Sequence, residues 1–357
     1  MNTPTQDTNL TTAPPASAPP EGPPPAEIMM RMLTAPMITR AINVAAKLGI
    51  ADLVHGQPRT AEQLAEATGT HAPSLYRVLR ALASVGIFAE DAEGRFGLTP
   101  LAGLLRSDVP GSLRGAALFF FGIKVHWDAW GDIMHSVQTG GTTIEHLYGV
   151  GPFEYFTQHP EEAEVFNNAM TSISQAVSAA VGEAYDFTPF TTLVDVAGGH
   201  GGLLAAILEA NPHLQGILFD LPFVIEGARE LIAARGLEQR CQLVGGDFFE
   251  SVPSGDGYIL KNIIHDWDDE KAAAILRNIH RAMAPDGARK LLLVEFVLAP
   301  RNEPSMGKLI DLEMLLLPGG RERTEEEYRS LLASAGFELT RIVPTRSPMC
   351  IIEGVPV

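Results

Sequence analysis

His265 is the residue of this chain best suited to move a proton. It stands in Lys261-Asn262-Ile263-Ile264-His265-Asp266-Trp267, just past the apolar run Gly257 to Lys261, which reads as a strand. Ligands of open α/β sheets sit at the carboxyl ends of strands, so an imidazole there faces a site. Its pKa range suits a general base. Transfer of a group to a hydroxyl needs such a base, because a phenol with a pKa near ~10 is mostly protonated and weakly nucleophilic at neutral pH. The imidazole in turn needs a carboxylate to fix its tautomer and steady the imidazolium. Glu295 is one candidate: it interrupts the apolar run Lys290 to Phe296, a costly place for an acid without a purpose. Glu322, in the glycine-rich stretch Gly319-Gly320-Arg321-Glu322-Arg323-Thr324, is a second. The plainer reading of His265 is a helix-start histidine with a structural hydrogen bond.

A base at a strand end is useful only beside a ligand, and the sequence offers a cradle for one. Thr192 to Val196 is short, β-branched and apolar, as suits a strand covered on both faces. It runs into Ala197-Gly198-Gly199-His200-Gly201-Gly202, where Gly198, Gly199 and Gly201 let a ligand approach with no Cβ in the way. Leu203 to Leu208 continues as a helix whose N-terminal amides face the same space. Asp195, just before the turn, would repel a pyrophosphate and attract a ligand with an ammonium and a sulfonium, such as S-adenosylmethionine. Gly216 to Phe219 reads as the second strand and ends in Asp220, 25 residues after Asp195, where nucleotide folds place a carboxylate on ribose hydroxyls. Cys241 to Gly245 reads as the third, and Gly246-Asp247-Phe248 after it offers an acid for the adenine amino group and a ring for its face. The rival is a nicotinamide site, which Gly199-x-Gly201 and Asp220 partly fit, but the third glycine of that fingerprint falls on Leu204.

The elements that position these residues can be read in order. Residues 1–25 hold eight prolines, with no basic start and no apolar run, and are expected to be a disordered tail. Residues 26–115 read as a winged-helix dimerisation domain. Ala26 to Leu48 is an apolar helix expected to bury itself against a second subunit, Thr60-Ala61-Glu62-Gln63 is a capping box, a second helix follows Pro73, and a hairpin wing turns at Asp91 to Gly94. Such a fold invites a DNA-binding reading, but nine Lys/Arg stand against eight Asp/Glu there, and the presumed recognition helix offers only Arg77 and Arg80. Residues 116–180 are expected to be a helical connector rich in aromatics, broken at Thr139-Gly140-Gly141. Trp127, Phe166 and Met170 are candidates to line an apolar pocket for a flat substrate, with Asp266 and Met314 as further contacts. From residue 181 to 357 strands and helices alternate, as for a parallel sheet with helices on both faces, closed by two strands near Leu339 to Val343 and Cys350 to Gly354.

Composition narrows the function classes. The chain has 357 residues, enough for two domains, and a net charge of −17 that disfavours phosphate backbones and anionic membranes as partners. Two cysteines in no metal-binding spacing, Cys241 and Cys350, fit a reduced cytoplasmic protein. No apolar run approaches the ~18 residues of a membrane span. No His/Asp/Glu cluster with ligand spacing stands near the motifs, so no metal is expected and activity should survive EDTA.

From about Ile28 to Glu353 the chain resembles the metal-independent phenolic O-methyltransferases, which include plant caffeic acid and isoflavone methyltransferases and many bacterial natural-product enzymes. The resemblance rests on Leu193-Val194-Asp195-Val196-x-Gly198-Gly199-x-Gly201, Phe219-Asp220-Leu221-Pro222, Gly245-Gly246-Asp247-Phe248, Lys261-x-x-x-His265-Asp266-Trp267 and Gly319-Gly320-Arg321-Glu322-Arg323-Thr324. It implies a Rossmann-like class I methyltransferase domain behind the winged-helix dimerisation domain, in a homodimer whose N-terminal domain closes part of the partner's substrate pocket. It implies S-adenosyl-L-methionine as cofactor, Asp220 with Leu221 at its ribose, Gly246, Asp247 and Phe248 at its adenine, and Lys261 enclosing it. His265 is then the base, flanked by Glu295 and Glu322, and a small aromatic is the acceptor. Two positions depart from the family: Ala197 replaces the first glycine of the run, tolerable unless its φ is positive, and Leu317 replaces a polar substrate contact of plant members. Hydroxylation or decarboxylation on the same fold, and a winged-helix regulator responsive to a small molecule, are the alternatives.

Overall fold

Pro25–Lys47 forms the first helix (α1), with Pro25 at a position whose N–H would be unpaired anyway. Only its last turns face the chain's own core, through Asn43, Ala45 and Ala46. Met29, Met30, Met32, Leu33 and Met37 are all more than half exposed. The computed structural model describes residues 22–357, so the expected tail lies outside the described residues apart from its last four. Ile50–Leu53 (α2), Arg59–Thr60 (β1), Ala61–Thr68 (α3) and Ala72–Ser84 (α4) follow. Thr60 and Gln63 close the capping box in both directions. Leu75, Leu79 and Leu82 bury one stripe of α4. Phe88–Glu90 (β2) and Arg95–Leu98 (β3) make the wing, in a three-stranded sheet of order β1-β3-β2. Pro100–Gly103 (α5) ends this region.

The next stretch is helical: Arg114–Phe119 (α6), Lys124–Gly131 (α7), Ile133–Thr139 (α8), Thr143–Tyr148 (α9), Pro152–Gln158 (α10) and Pro160–Ala184 (α11). Gly140, at φ 76°, ends α8 in the left-handed conformation, at the break expected from Thr139-Gly140-Gly141. Phe119, Ile144 and Tyr155 form a small apolar core joined by Phe156, Phe166, Met170 and Leu317. Helix α11 runs unbroken through residues 180 and 181, and its Val177 and Val181 belong to the core of the large sheet.

That sheet has the order β6-β5-β4-β7-β8-β10-β9, from Thr192–Val196 (β4), Gln215–Asp220 (β5), Cys241–Gly245 (β6), Gly257–Lys261 (β7), Lys290–Glu295 (β8), Phe337–Pro344 (β9) and Cys350–Pro356 (β10). Gly202–Ala210 (α12), Pro222–Ala234 (α13), Asp269–Ala282 (α14), Gly307–Leu316 (α15) and Glu325–Ser334 (α16) connect them. The sheet is mixed rather than parallel throughout: β10 is antiparallel to both β8 and β9. The link from Pro344 to Cys350 is too short for a crossover, so β10 has to turn back. Side chains of β8 alternate between two cores, Leu292 and Val294 against α11–α13 and Leu291 and Leu293 against α14 and α16. The chain order reverses between β4 and β7, which opens a crevice at their carboxyl ends.

Candidate active site

Both halves of the site expected from the sequence converge on that crevice. On the β4 side the turn is built around Leu218 and Asp195. A Cβ on Gly198 would stand 2.5 Å from the Asp195 carboxyl and from Leu218 Cδ1, and one on Gly201 would stand 2.9 Å from Leu218 Cδ2. Gly199 and Gly201 have φ of 60° and 80°, and no atom lies within 4 Å of a Cβ placed on Gly199 or Gly202, so the turn opens onto free space. Ala197 has φ 56° and thus meets the condition under which its methyl is unfavourable.

Asp195 is not the open lure that its position suggested. It is 1% exposed beneath the turn, its Oδ2 has no hydrogen-bond partner, and burial pushes its pKa up to about 7, with Lys261 pulling the other way. Asp220 is the acid that reaches the crevice edge. Its Oδ2 accepts from the Gly199 amide at 2.8 Å and its Oδ1 from the Leu221 amide at 2.7 Å, while burial raises its pKa against these bonds. Leu221 is 44% exposed beside it. Gly246 continues β6 with its amide on the Asp220 carbonyl, and a Cβ there would strike the Phe219 ring. Asp247 turns the chain by accepting from the Phe249 amide, and Phe248 packs edge-on against Trp267. Lys261 donates to Ser174 Oγ at 2.9 Å, which ties β7 to α11.

On the β7 side Asn262, at φ 56°, turns the chain into a single 3-10 turn, Ile264–Asp266. Asparagine tolerates that conformation. The turn directs the Ile263 and Ile264 amides at Glu295 Oε1, at 3.0 and 2.9 Å. His265 Nδ1 meets Glu322 Oε1 at 2.7 Å, whereas Glu295 Oε2 is 3.6 Å away. Glu322 is therefore the carboxylate in direct contact with the imidazole, although the sequence placed it second, and Glu295 accepts from the backbone that carries the imidazole. Nδ1 is engaged, and Nε2 lies 3.6 Å from Asp266 Oδ1. Burial acts against charge on His265, but Glu295, Asp266 and Glu322 together outweigh it and push the pKa up to about 10. Burial raises Asp266 to about 6 and also raises Glu295.

The linear sequence showed no cluster of metal-ligand types near the motifs, and among the described residues the fold assembles two. His265, Glu295 and Glu322 are the first; Glu322 is hydrogen-bonded to the imidazole at 2.7 Å and Glu295 stands 3.6 Å from it. Asp132, His135 and His146 are the second. There the two imidazoles lie face to face, centroids 3.8 Å apart and 10° from parallel.

Of the expected substrate contacts, Phe166 and Met170 share one apolar cluster with Leu317, and Met314 is nearly buried on α15. Trp127 stands apart: it is 46% exposed, lies under the Arg40 guanidinium, and lines a surface cavity of about 400 Å³ with Lys124, Asp128, Leu147 and Tyr148. Asp311 and Arg323 were missed. Asp311 Oδ1 accepts from the Glu322 amide at 2.8 Å, and Arg323 is wholly buried. Arg323 lay in a quoted stretch, yet nothing local marks a guanidinium whose partners, the Arg321 carbonyl apart, are 54 to 59 residues away.

Comparison with known proteins places this geometry. Residues 130–338 match the model of an O-methyltransferase domain and residues 30–108 that of an O-methyltransferase dimerisation domain. A phenazine O-methyltransferase of Lysobacter antibioticus is 48% identical over 92% of this chain and 96% of its own. The crystal structure of LaPhzM superposes with a TM-score of 0.87 at 47% identity, over 94% of this chain and all of that one. An O-methyltransferase from neocarzinostatin biosynthesis, solved with S-adenosylmethionine and 2-hydroxy-5-methyl naphthoic acid, gives 0.76 at 33% identity over 89% and 96%.

Proposed function

The chain belongs to the O-methyltransferase family, and from that premise we propose that it methylates a phenolic or other hydroxyl of a small aromatic natural product, with His265 as general base. The crevice fits the family's S-adenosylmethionine. The glycine turn is open above Gly199 and Gly202, and each Asp220 oxygen keeps a lone pair for a ribose hydroxyl beyond the amide it holds. Asp220 and Leu221 would hold the ribose, Gly246, Asp247 and Phe248 the adenine. When bound, that cofactor supplies an electrophilic methyl on a sulfonium.

The observation that carries the reading is the 2.7 Å contact of His265 Nδ1 with Glu322, which leaves Nε2 to take the acceptor's proton at the carboxyl end of β7. The apolar cluster of Phe166, Met170 and Leu317 suits a flat ring, and its lack of a polar group at Leu317 argues against the acceptors of plant members. The uncovered apolar half of α1 supports a homodimer.

The test is the rate of methyl transfer against pH, with a hydroxynaphthoic acid as probe acceptor. His265→Gln keeps a hydrogen bond but takes no proton, and should lower kcat by about 10²–10⁴-fold. The defect should shrink at high pH, where phenolate forms unaided. Equal rates for both proteins from about pH 6 to 10 would sink the base role.

A further inference from the structure

His265 sits on a 3-10 turn of three residues, which has little rigidity of its own. What fixes the turn comes from another part of the chain. We propose that Gly320 and Arg323 are positioning residues for His265, clasping the loop Gly319–Thr324 to the backbone of residues 264–267 so that imidazole and Glu322 move as one piece. The catalytic consequence rests on His265 being the base; the positioning itself does not.

The contacts leave little slack. The Arg321 amide donates to the His265 carbonyl at 2.8 Å. Arg323 Nη1 donates to the Ile264 carbonyl at 3.1 Å and Nη2 to the Trp267 carbonyl at 2.9 Å, so one guanidinium spans the turn from end to end. Its Nε and Nη2 both reach Asp269 Oδ1, at 2.9 and 2.8 Å, and Nη1 also holds the carbonyl of Arg321 in its own loop. Only a planar fork joins these points; a lysine ammonium is a single point charge and would keep one or two of them. Gly320 is the other half of the clasp. A Cβ there would stand 2.0 Å from the His265 carbonyl oxygen, 2.3 Å from the Asp266 carbonyl carbon and 2.6 Å from the Trp267 nitrogen. These are backbone atoms, so the turn itself would have to move. The loop held this way delivers Glu322 to Nδ1.

The experiment uses the full chain labelled at histidine Cε1, with the His265 signal assigned by its loss in His265→Gln, and compares NMR titration with steady-state kinetics. Arg323→Lys and Gly320→Ala should bring the titration of His265 down towards that of a free histidine, as the Glu322 contact loosens. Both should lower kcat by about tenfold to a hundredfold, the scale of an ångström's misplacement, while S-adenosylhomocysteine affinity stays within about twofold. Should these two variants fail to fold, Asp269→Asn decides, since that side chain is largely exposed; it should give the same shift at smaller size. A His265 titration in Arg323→Lys or Asp269→Asn that superposes on the native curve overturns the proposal, as does a loss of kcat that only tracks the folded fraction. If His265→Gln itself keeps the native rate, the base role fails, and the titrations still judge the clasp.

Discussion

At the scale of single residues the site poses a question of charge. A histidine with a pKa near 10 is an imidazolium at neutral pH and has to lose that proton before it can accept another. The three acids around it stabilise the charge beyond what burial takes away, and a further positive charge nearby would offset them. The family's cofactor carries one on sulfur and its product does not. His265 should therefore titrate lower, by about one unit or more, with S-adenosylmethionine bound than with S-adenosylhomocysteine, given ~3 kcal/mol between unit charges several ångströms apart at an effective dielectric of ~20. Histidine NMR in the two complexes measures this, and identical titrations would remove the account. The sign matters for the enzyme: neutral His265 increases as pH rises through the folded-state pKa, so the rate should rise with pH along a limb well above 6.5.

At the scale of elements, the strand ends were legible because a strand and its turn are local. The runs at Thr192–Val196 and Gly257–Lys261 carry β-branched or apolar residues next to glycine or a polar break, and the structure places strands there. What could not be read was contact across the chain. Nothing near Glu295 says that its Oε1 is spent on two amides, or that Glu322, 57 residues from His265, reaches the imidazole first. The burial of Asp195 was hidden for a similar reason, since it follows from the packing of Gly198 and Leu218 around it. The turn after β4 offers a matched pair of tests. Ala197→Gly removes a left-handed alanine that costs about 1–2 kcal/mol and adds about 0.4–1 kcal/mol of unfolded-chain entropy, so urea unfolding should show neutral to modestly raised stability. Gly198→Ala drives a methyl into Asp195 and Leu218; it should destabilise by about 1–3 kcal/mol and weaken cofactor binding in calorimetry. Equal behaviour of the two would mean that the turn yields to an added methyl and that the close packing of Gly198 does not constrain it.

At the scale of the whole molecule, α1 exposes a methionine-rich half that the rest of the described chain does not cover. If this face carries the proposed homodimer, Met29→Glu with Leu33→Glu, which alters only exposed positions, should leave the fold intact while sedimentation shows the mass of one chain; an unchanged assembly would place the interface elsewhere. The sheet also sets an order in time. The glycine turn, Asp220 and Asp247 stand at the carboxyl ends of three parallel strands consecutive in the chain, β4, β5 and β6, whereas Glu295 on β8 is walled on one side by β10, where Cys350 stands opposite it. Closing those longer loops costs more chain entropy and comes later. A chain refolding from denaturant should then bind S-adenosylhomocysteine before it turns over, and a lag between recovered ligand binding and recovered methyl transfer would record an interval in which the molecule is a receptor and not yet a catalyst.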